Sequence, residues 1–224
     1  MEKIECVIVC TNFGKYLEKS LPINEKFFNN VVVVSDKTDI MTHDICNNLD
    51  VECVDLKDPD KQFKKGKYLN YGYTHLKYNE WVLNLDADII LTKRFYDIKD
   101  NLKWLSRNIL YGRKTRIELG DRDINDWESI YNSEKDNLRC ELNNMLNPVG
   151  FFQLFHASHF HNVVSWYPIV DLTNNDKIFR KKFRQHKMLE DIEIFTRFNF
   201  DGVRTYLFDC IHLKKPVIDH WGEE

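Results

Sequence analysis

Asp86-Ala87-Asp88 stands between two apolar segments, Trp81-Val82-Leu83-Asn84-Leu85 and Ile89-Ile90-Leu91. Two carboxylates beside a buried strand end are costly unless something cationic meets them. In extended chain, residues two apart face the same way, so the spacing predicts that both carboxylates converge on one divalent cation or on its ligands. Such hard, oxygen-rich donors suit Mg2+ or Mn2+ and leave coordination positions open for phosphate oxygens. The same spacing occurs at Asp58/Asp60 and Asp121/Asp123, but neither pair lies between apolar runs. For Asp86 and Asp88 the alternative is a polar turn with solvated aspartates.

Other residues of chemical interest lie further along. Glu190-Asp191 opens a segment of helical spacing that follows a basic stretch, residues 176–187, with six Lys or Arg and one Asp. A carboxylate there is either a general base or a helix start that complements the dipole. The basic stretch is either a loop that closes over an anionic ligand or a solvated surface. Cys210-Ile211-His212-Leu213 and Asp219-His220-Trp221 place two histidines near the C-terminus, each a core group or a metal ligand. His156, His159 and His161 have no acidic companion, so they read as surface or acceptor-side groups and not as a zinc site. Of the tryptophans, Trp166 and Trp221 are the candidates for stacking on an acceptor.

The elements that must position these groups alternate. Ile4 to Cys10 is a nearly continuous apolar run, the mark of a strand covered on both faces. Lys15 to Ser20 suits a short helix that stops before Pro22, and Val31 to Val34 a second buried strand ending at Ser35-Asp36. Asp39 to Leu49 reads as helix, Val51 to Leu56 as a third strand, Tyr68 to Tyr78 as helix, and Trp81 to Leu85 as a fourth strand. Strands separated by helices predict parallel pairing with right-handed crossovers. The expected fold class is therefore α/β, a doubly wound and mostly parallel Rossmann-like sheet in a single domain over residues 1–224. Ligands of such sheets bind at the carboxyl ends of the strands. Phe95 to Leu105 reads as helix, Ile109 to Gly112 as strand, residues 118–136 as a solvated acidic excursion, and Gly150 to Phe155 as strand.

Composition narrows the function classes. A net charge of −3 gives no bulk attraction to nucleic acid. No apolar run reaches the ~18 residues of a transmembrane segment, and Met1-Glu2-Lys3 leads into a strand pattern rather than a signal peptide. Eight glycines and five prolines exclude collagen-like and low-complexity chains. The six cysteines show no C-x-x-C spacing, and Cys6 and Cys10 fall in a buried strand pattern as free thiols. A reducing, cytoplasmic setting is the expectation.

The order of these signals resembles the GT-A glycosyltransferases, especially the inverting glycosyltransferase family 2. The resemblance rests on Val7 to Asn12, Val31 to Asp36, Lys65-Gly66-Lys67-Tyr68-Leu69-Asn70-Tyr71-Gly72, Asn84 to Asp88, Gly150 to Phe155 and Glu190 to Glu193. It implies a nucleotide-sugar-binding half, residues 1–110, and an acceptor and catalytic half, residues 111–224. Thr11, Asn12 and Asp36 would hold the base and ribose, Lys67 and Asn70 would contact the nucleotide, and Asp86 would face the ribose. Asp88 would bind the divalent cation, with His212 completing its shell and His220 as the other candidate. Asp191 would be the general base that deprotonates an acceptor hydroxyl on a glycan or other molecule. Two other readings stay open. A nucleotidyltransferase wants a glycine-rich, basic loop after the first strand, where Cys10 to Lys15 holds one glycine. A non-catalytic nucleotide-sugar or glycan-binding domain would keep the fold alone.

Overall fold

A computed structural model describes residues 2–56, 65–78, 80–93, 95–107, 109–111, 115–119, 122–134, 152–158, 202–204 and 209–213. Its strands are β1 (Ile4–Val9), β2 (Asn30–Ser35), β3 (Glu52–Asp55), β4 (Trp81–Asp86), β5 (Ile89–Leu91), β6 (Ile109–Tyr111), β7 (Thr115–Glu118), β8 (Phe152–His156), β9 (Gly202–Arg204) and β10 (Asp209–His212). The helices are α1 (Gly14–Asn24), α2 (Ile40–Asn48), α3 (Lys65–Tyr73), α4 (Phe95–Asn101) and α5 (Trp127–Glu134).

A seven-stranded sheet runs in the order β3-β2-β1-β4-β8-β6-β9. Its first four strands are parallel, β8 is antiparallel to both β4 and β6, and β9 is parallel to β6. The expected doubly wound, mostly parallel α/β sheet is what the chain forms. A second sheet, β5-β10-β7, was not anticipated.

Alternation along β1 shows how the sheet divides the core. Ile4, Cys6, Ile8 and Cys10 join one apolar cluster with Leu17 and Leu21 of α1 and Cys46 of α2. Val7 and Val9 join the opposite cluster with Tyr68, Leu69 and Tyr73 of α3. The one carboxylate inside this strand, Glu5, is fully buried. It accepts from the backbone N–H groups of Lys77 at 2.8 Å and Tyr78 at 2.9 Å and from Asn30 Nδ2 at 3.0 Å, which ties the turn after α3 to the sheet. Cys6 and Cys10 are buried and free, as are Cys46 and Cys210, and burial pushes the Cys10 thiol up to about 12.

Several boundaries differ from the sequence expectation. Helix α1 does not stop before Pro22 but carries it internally and continues to Asn24. The missing amide costs one helical bond, and it is offset by buried Leu21 and by Asn24, whose side chain is anchored in the neighbouring strand β5. Helix α3 begins at Lys65 and ends at Tyr73, earlier at both ends than expected. The acidic stretch is not purely an excursion, since α5 sends Trp127, Ile130 and Tyr131 onto the cluster of Ile90, Ile117 and Ile211. His156 is buried, edge-on to Trp81 at 5.3 Å, with Nδ1 2.8 Å from Ser158 Oγ; it is a packed group at the amino end of β4, not a surface or acceptor-side one. The helix expected over 190–199 lies outside the described residues, as do His159, His161, Trp166, the 176–187 stretch, His220 and Trp221.

Helix α3 lies close on the sheet because residue 72 is glycine. A Cβ there would stand 2.5 Å from Val7 Cγ1 and 2.8 Å from Val34 Cγ2, both on rigid strands. Alanine would gain about 1 kcal/mol of helix propensity but overpacking costs about 1–3 kcal/mol. The net cost is up to about 2 kcal/mol, so Gly72→Ala is expected to lower Tm by a few degrees, up to about 8 °C, in a thermal melt. A higher Tm would show that α3 can lift off the strands without loss.

Candidate functional site

In the order β3-β2-β1-β4 the chain leaves β1 for one side and returns to the other, so the crevice between the carboxyl ends of β1 and β4 is a topological switch point. Thr11 and Asn12 follow β1, Ser35 and Asp36 end β2, and Asp86 ends β4 in register with Val9 of β1. The carboxyl ends of β1, β2 and β4, with Thr11, Asn12, Asp36 and Asp86, thus lie side by side.

The loop after β1 is pinned by a cap. Asp39 precedes α2, and its carboxylate accepts from Thr42 N at 3.2 Å, Thr42 Oγ1 at 2.8 Å and the backbone N–H of Asn12 at 2.8 Å. Asn12 takes the left-handed conformation, φ 59°, a backbone state that asparagine tolerates better than most residues. Thr42 Oγ1 also lies 3.2 Å from Cys10 Sγ. Asp39 is 8% exposed, so this carboxylate is structural; the sequence places it only as the first residue of the helix expected over Asp39 to Leu49. Asp36 forms a local turn, accepting from Thr38 N at 2.8 Å and Thr38 Oγ1 at 2.6 Å. Two hydroxyl oxygens at these strand ends, Thr11 Oγ1 and Ser35 Oγ, are buried and have no hydrogen-bond partner among the described residues. Orphaned polar atoms at a strand end are costly and call for a ligand or solvent to satisfy them.

The aspartate pair does not lie in extended chain. Asp86 closes β4, while Ala87 and Asp88 form a turn that sends the chain into β5. The rule that residues two apart share a face therefore does not govern Asp88. By parity, Asp86 shares its face with Val82 and Asn84, the side covered by α3, and it meets Lys65 Nζ at 2.5 Å. Both side chains are largely buried, 12% and 14% exposed, and Asp88 is 6% exposed. Lys65 stood in the sequence pattern without a role, although a lysine two residues ahead of Lys67 is the signal that locates it. Lys67 and Asn70 ride on the same helix, half-buried.

The backbone of the aspartate turn is held by α1. Ser20 Oγ donates to the Ala87 carbonyl at 2.5 Å, and Asn24 donates to the Ile89 carbonyl at 2.7 Å while accepting from Leu91 N at 2.9 Å. Strand β10 approaches from the other side, with His212 in register with Ile89 and Leu213 N donating to the Asp88 carbonyl at 2.9 Å. The strand that carries His212 is thus brought beside Asp88. Asp191 lies outside the described residues. Among the described residues, no three His, Cys, Asp or Glu side chains form a ready-made metal group. The donor set nevertheless fits a hard divalent cation: a buried carboxylate beside a strand end whose remaining positions phosphate oxygens can fill.

Neither a protein-family profile nor a curated protein sequence matches the chain. Solved structures do. Glucosyl-3-phosphoglycerate synthase from Mycobacterium tuberculosis, in complex with Mn2+, UDP and glucosyl-3-phosphoglycerate, superposes with a TM-score of 0.53 at 14% identity, over 96% of this chain and 73% of that one. The same enzyme with Mg2+ and UDP gives 0.52 at 13% identity, over 96% and 73% of the two chains. The 4-diphosphocytidyl-2C-methyl-D-erythritol synthase from Anaerococcus prevotii gives 0.51 at 13% identity, over 92% and 89%. At these identities the likeness is one of fold. The chain has the Rossmann-like α/β fold common to these transferases.

The cap at Asp39 yields a stability prediction. Asp39→Ala removes three accepted bonds at once and should cost about 1–3 kcal/mol. Asp39→Asn keeps one acceptor oxygen and should cost less. A urea titration checks this: the midpoint should fall in the order wild type, Asn, Ala with the slope unchanged. Equal midpoints for all three would mean that the loop after β1 is held by something else.

Proposed function

We propose that the chain is a metal-dependent, inverting glycosyltransferase that moves a sugar from a nucleotide-sugar donor to an acceptor hydroxyl. The observation that carries the proposal is the meeting of Asp86, Asp88 and the His212 strand at the switch point of the parallel sheet. It is supported by a like-folded glycosyltransferase that binds UDP with Mn2+ or Mg2+.

In this reading Thr11, Asn12 and Asp36 hold the base and ribose, Thr11 Oγ1 and Ser35 Oγ gaining the partners they lack among the described residues. Lys67 and Asn70 contact the nucleotide, and Asp86 faces its ribose. Asp88 and His212 would hold the cation. When bound, the cation supplies positive charge against that developing on the leaving nucleoside diphosphate. Asp191 takes the proton from the acceptor hydroxyl as that oxygen attacks the anomeric carbon from the face opposite the diphosphate. The bond from that carbon to the diphosphate oxygen breaks with its electron pair on the leaving group. A single displacement of this kind inverts the anomeric centre, and a positioned base contributes typically 10²–10⁴-fold.

A nucleotidyltransferase shares the fold, as the Anaerococcus enzyme shows. One feature here disfavours it. A triphosphate needs free backbone N–H groups in the loop after β1, and the Asn12 amide is already donated to Asp39.

Two variants separate binding from chemistry. Asp88→Ala should abolish the Mn2+-dependent part of UDP affinity in calorimetry while the melt is unchanged; affinity equal to wild type would remove Asp88 from the site. Asp191→Asn should bind donor normally and transfer sugar at least about a hundredfold more slowly at saturating donor. Full activity in that variant would mean that Asp191 is only a helix start. Release of pyrophosphate from a nucleoside triphosphate, with no nucleoside diphosphate from any nucleotide sugar, would favour the nucleotidyltransferase instead.

A further inference from the structure

Away from the crevice, two thiols meet where the chain turns from α2 into β3. Helix α2 ends at Asn48, and the backbone N–H groups of Leu49 at 3.2 Å and Val51 at 3.0 Å both donate to the Cys46 carbonyl. Asp50 takes the left-handed conformation, φ 54°, that closes such a helix end. Beyond the turn, Val51 and Cys53 are two apart in sequence, and both pack on the apolar cluster that contains Cys46. The Cys46 thiol donates a hydrogen bond to the Cys53 sulfur. Sulfurs in such contact are already near the approach a disulfide needs.

The two thiols are not alike. Cys46 is fully buried. Cys53 is half-buried on β3, an edge strand of the seven-stranded sheet, opposite Val33 of β2. The hydrogen bond from Cys46 and the imidazole of His43 hold the Cys53 thiol below its ordinary range, against burial and the Asp55 carboxylate. That same bond pushes the Cys46 thiol up. A reachable thiol of this kind is where oxidation starts, and a neighbouring thiol resolves it. Cys10 stands apart from the pair, with its sulfur 3.2 Å from Thr42 Oγ1.

We propose that Cys46 and Cys53 form a reversible disulfide, with hydrogen peroxide as oxidant, that staples the end of α2 to the edge of the sheet. The Cys53 thiolate attacks one peroxide oxygen. The O–O bond breaks, the other oxygen leaves and is protonated to water, and Cys53 becomes a sulfenic acid. The Cys46 sulfur then attacks the Cys53 sulfur and gives up its proton to the departing hydroxide. The S–S bond forms as the S–O bond breaks, and a second water leaves. The two thiols lose two electrons, which reduce the peroxide to water, and a dithiol restores them by exchange. The tail of α2 is then tied to β3, as its head is tied to the loop after β1 through Asp39. None of this depends on the metal-and-nucleotide reading.

The test exposes the reduced, folded chain to a slight excess of hydrogen peroxide, then maps its peptides by mass spectrometry. Digestion at aspartate cuts between the two cysteines at Asp50, so only a disulfide keeps their peptides together. Wild type should give the Cys46–Cys53 cross-linked pair, and dithiothreitol should remove it. Cys46→Ala should stop at a Cys53 sulfenic acid that dimedone traps, and Cys53→Ala should leave Cys46 unoxidised. A measurement on wild type alone guards against a variant that fails to fold. In the reduced native chain, iodoacetamide should label Cys53 at least about tenfold faster than Cys46. A folded wild type that gives no such cross-link, or pairs either cysteine with a different one, overturns the proposal. Labelling of Cys46 as fast as Cys53 overturns the order of attack.

Discussion

A carboxylate at the end of a strand covered on both faces has to be met by positive charge, and at Asp86 that charge comes from Lys65. Much of the amino-terminal half follows from this requirement. The ammonium must be delivered to the carboxyl edge of β4, so α3 has to start there and run back antiparallel to the strands. It has to lie low on the sheet, which residue 72 permits only as glycine. Its rotation and rise have to be fixed, which the Tyr73–Asn84–Gln153 chain does with neutral, fully buried groups. Replacing any one of these would move the ammonium before it moved the strand.

The two loops at the switch point are supported in different ways. The loop after β1 is held through side-chain acceptance, by Asp39 at the head of α2. The turn after β4 is held through its carbonyls, by Ser20 and Asn24 one helical turn apart on α1. Asn24 bonds both a donor and an acceptor of β5, so it acts as one more rung of the ladder in place of a strand. Helix α1 therefore has two tasks. One face packs Leu17 and Leu21 into the core, and the polar pair fixes the path of the backbone that carries Asp88. That second task explains why the helix runs through Pro22. The residue that matters most to the site lies beyond the proline.

Periodicity made the parallel half legible. Ile4 to Cys10 and Val31 to Val34 are apolar without interruption because both faces are covered, and no other element of this length requires that. The position of Asp86 followed, since a charged residue after such a run must be a strand end. The direction of Asp88 did not follow, because a turn obeys no period-two rule. The second sheet was hidden for a different reason: β5, β7 and β10 are three or four residues each, too short for a period to show. Lys65 was hidden because an ion pair depends on where a helix begins. His156 misled because histidine has equal reason to line a site or to fill a gap beside a tryptophan, and only its register with Trp81, at the far end of β4, decides between them.

The commitments of the β1 loop bear on what kind of phosphate chemistry the fold can host. A loop that cradles a triphosphate does so with several unengaged amides and with glycines that let the backbone come close. Here Cys10 N donates to Val34 O, Asn12 N to Asp39, and the amides of Tyr16 and Leu17 to the Phe13 carbonyl. The single glycine, Gly14, is packed against Met41, where a Cβ would lie 2.7 Å from Cγ. That glycine serves the contact of α1 with α2, leaving the loop without one to spend on a ligand. In the proposed reading, charge for a diphosphate then comes from the other wall of the crevice, from the lysines of α3 and a cation at Asp88. A site built this way would bind the diphosphate as the departing part of the donor. This is the requirement of glycosyl transfer, in which the sugar carbon is attacked and the phosphorus is left untouched.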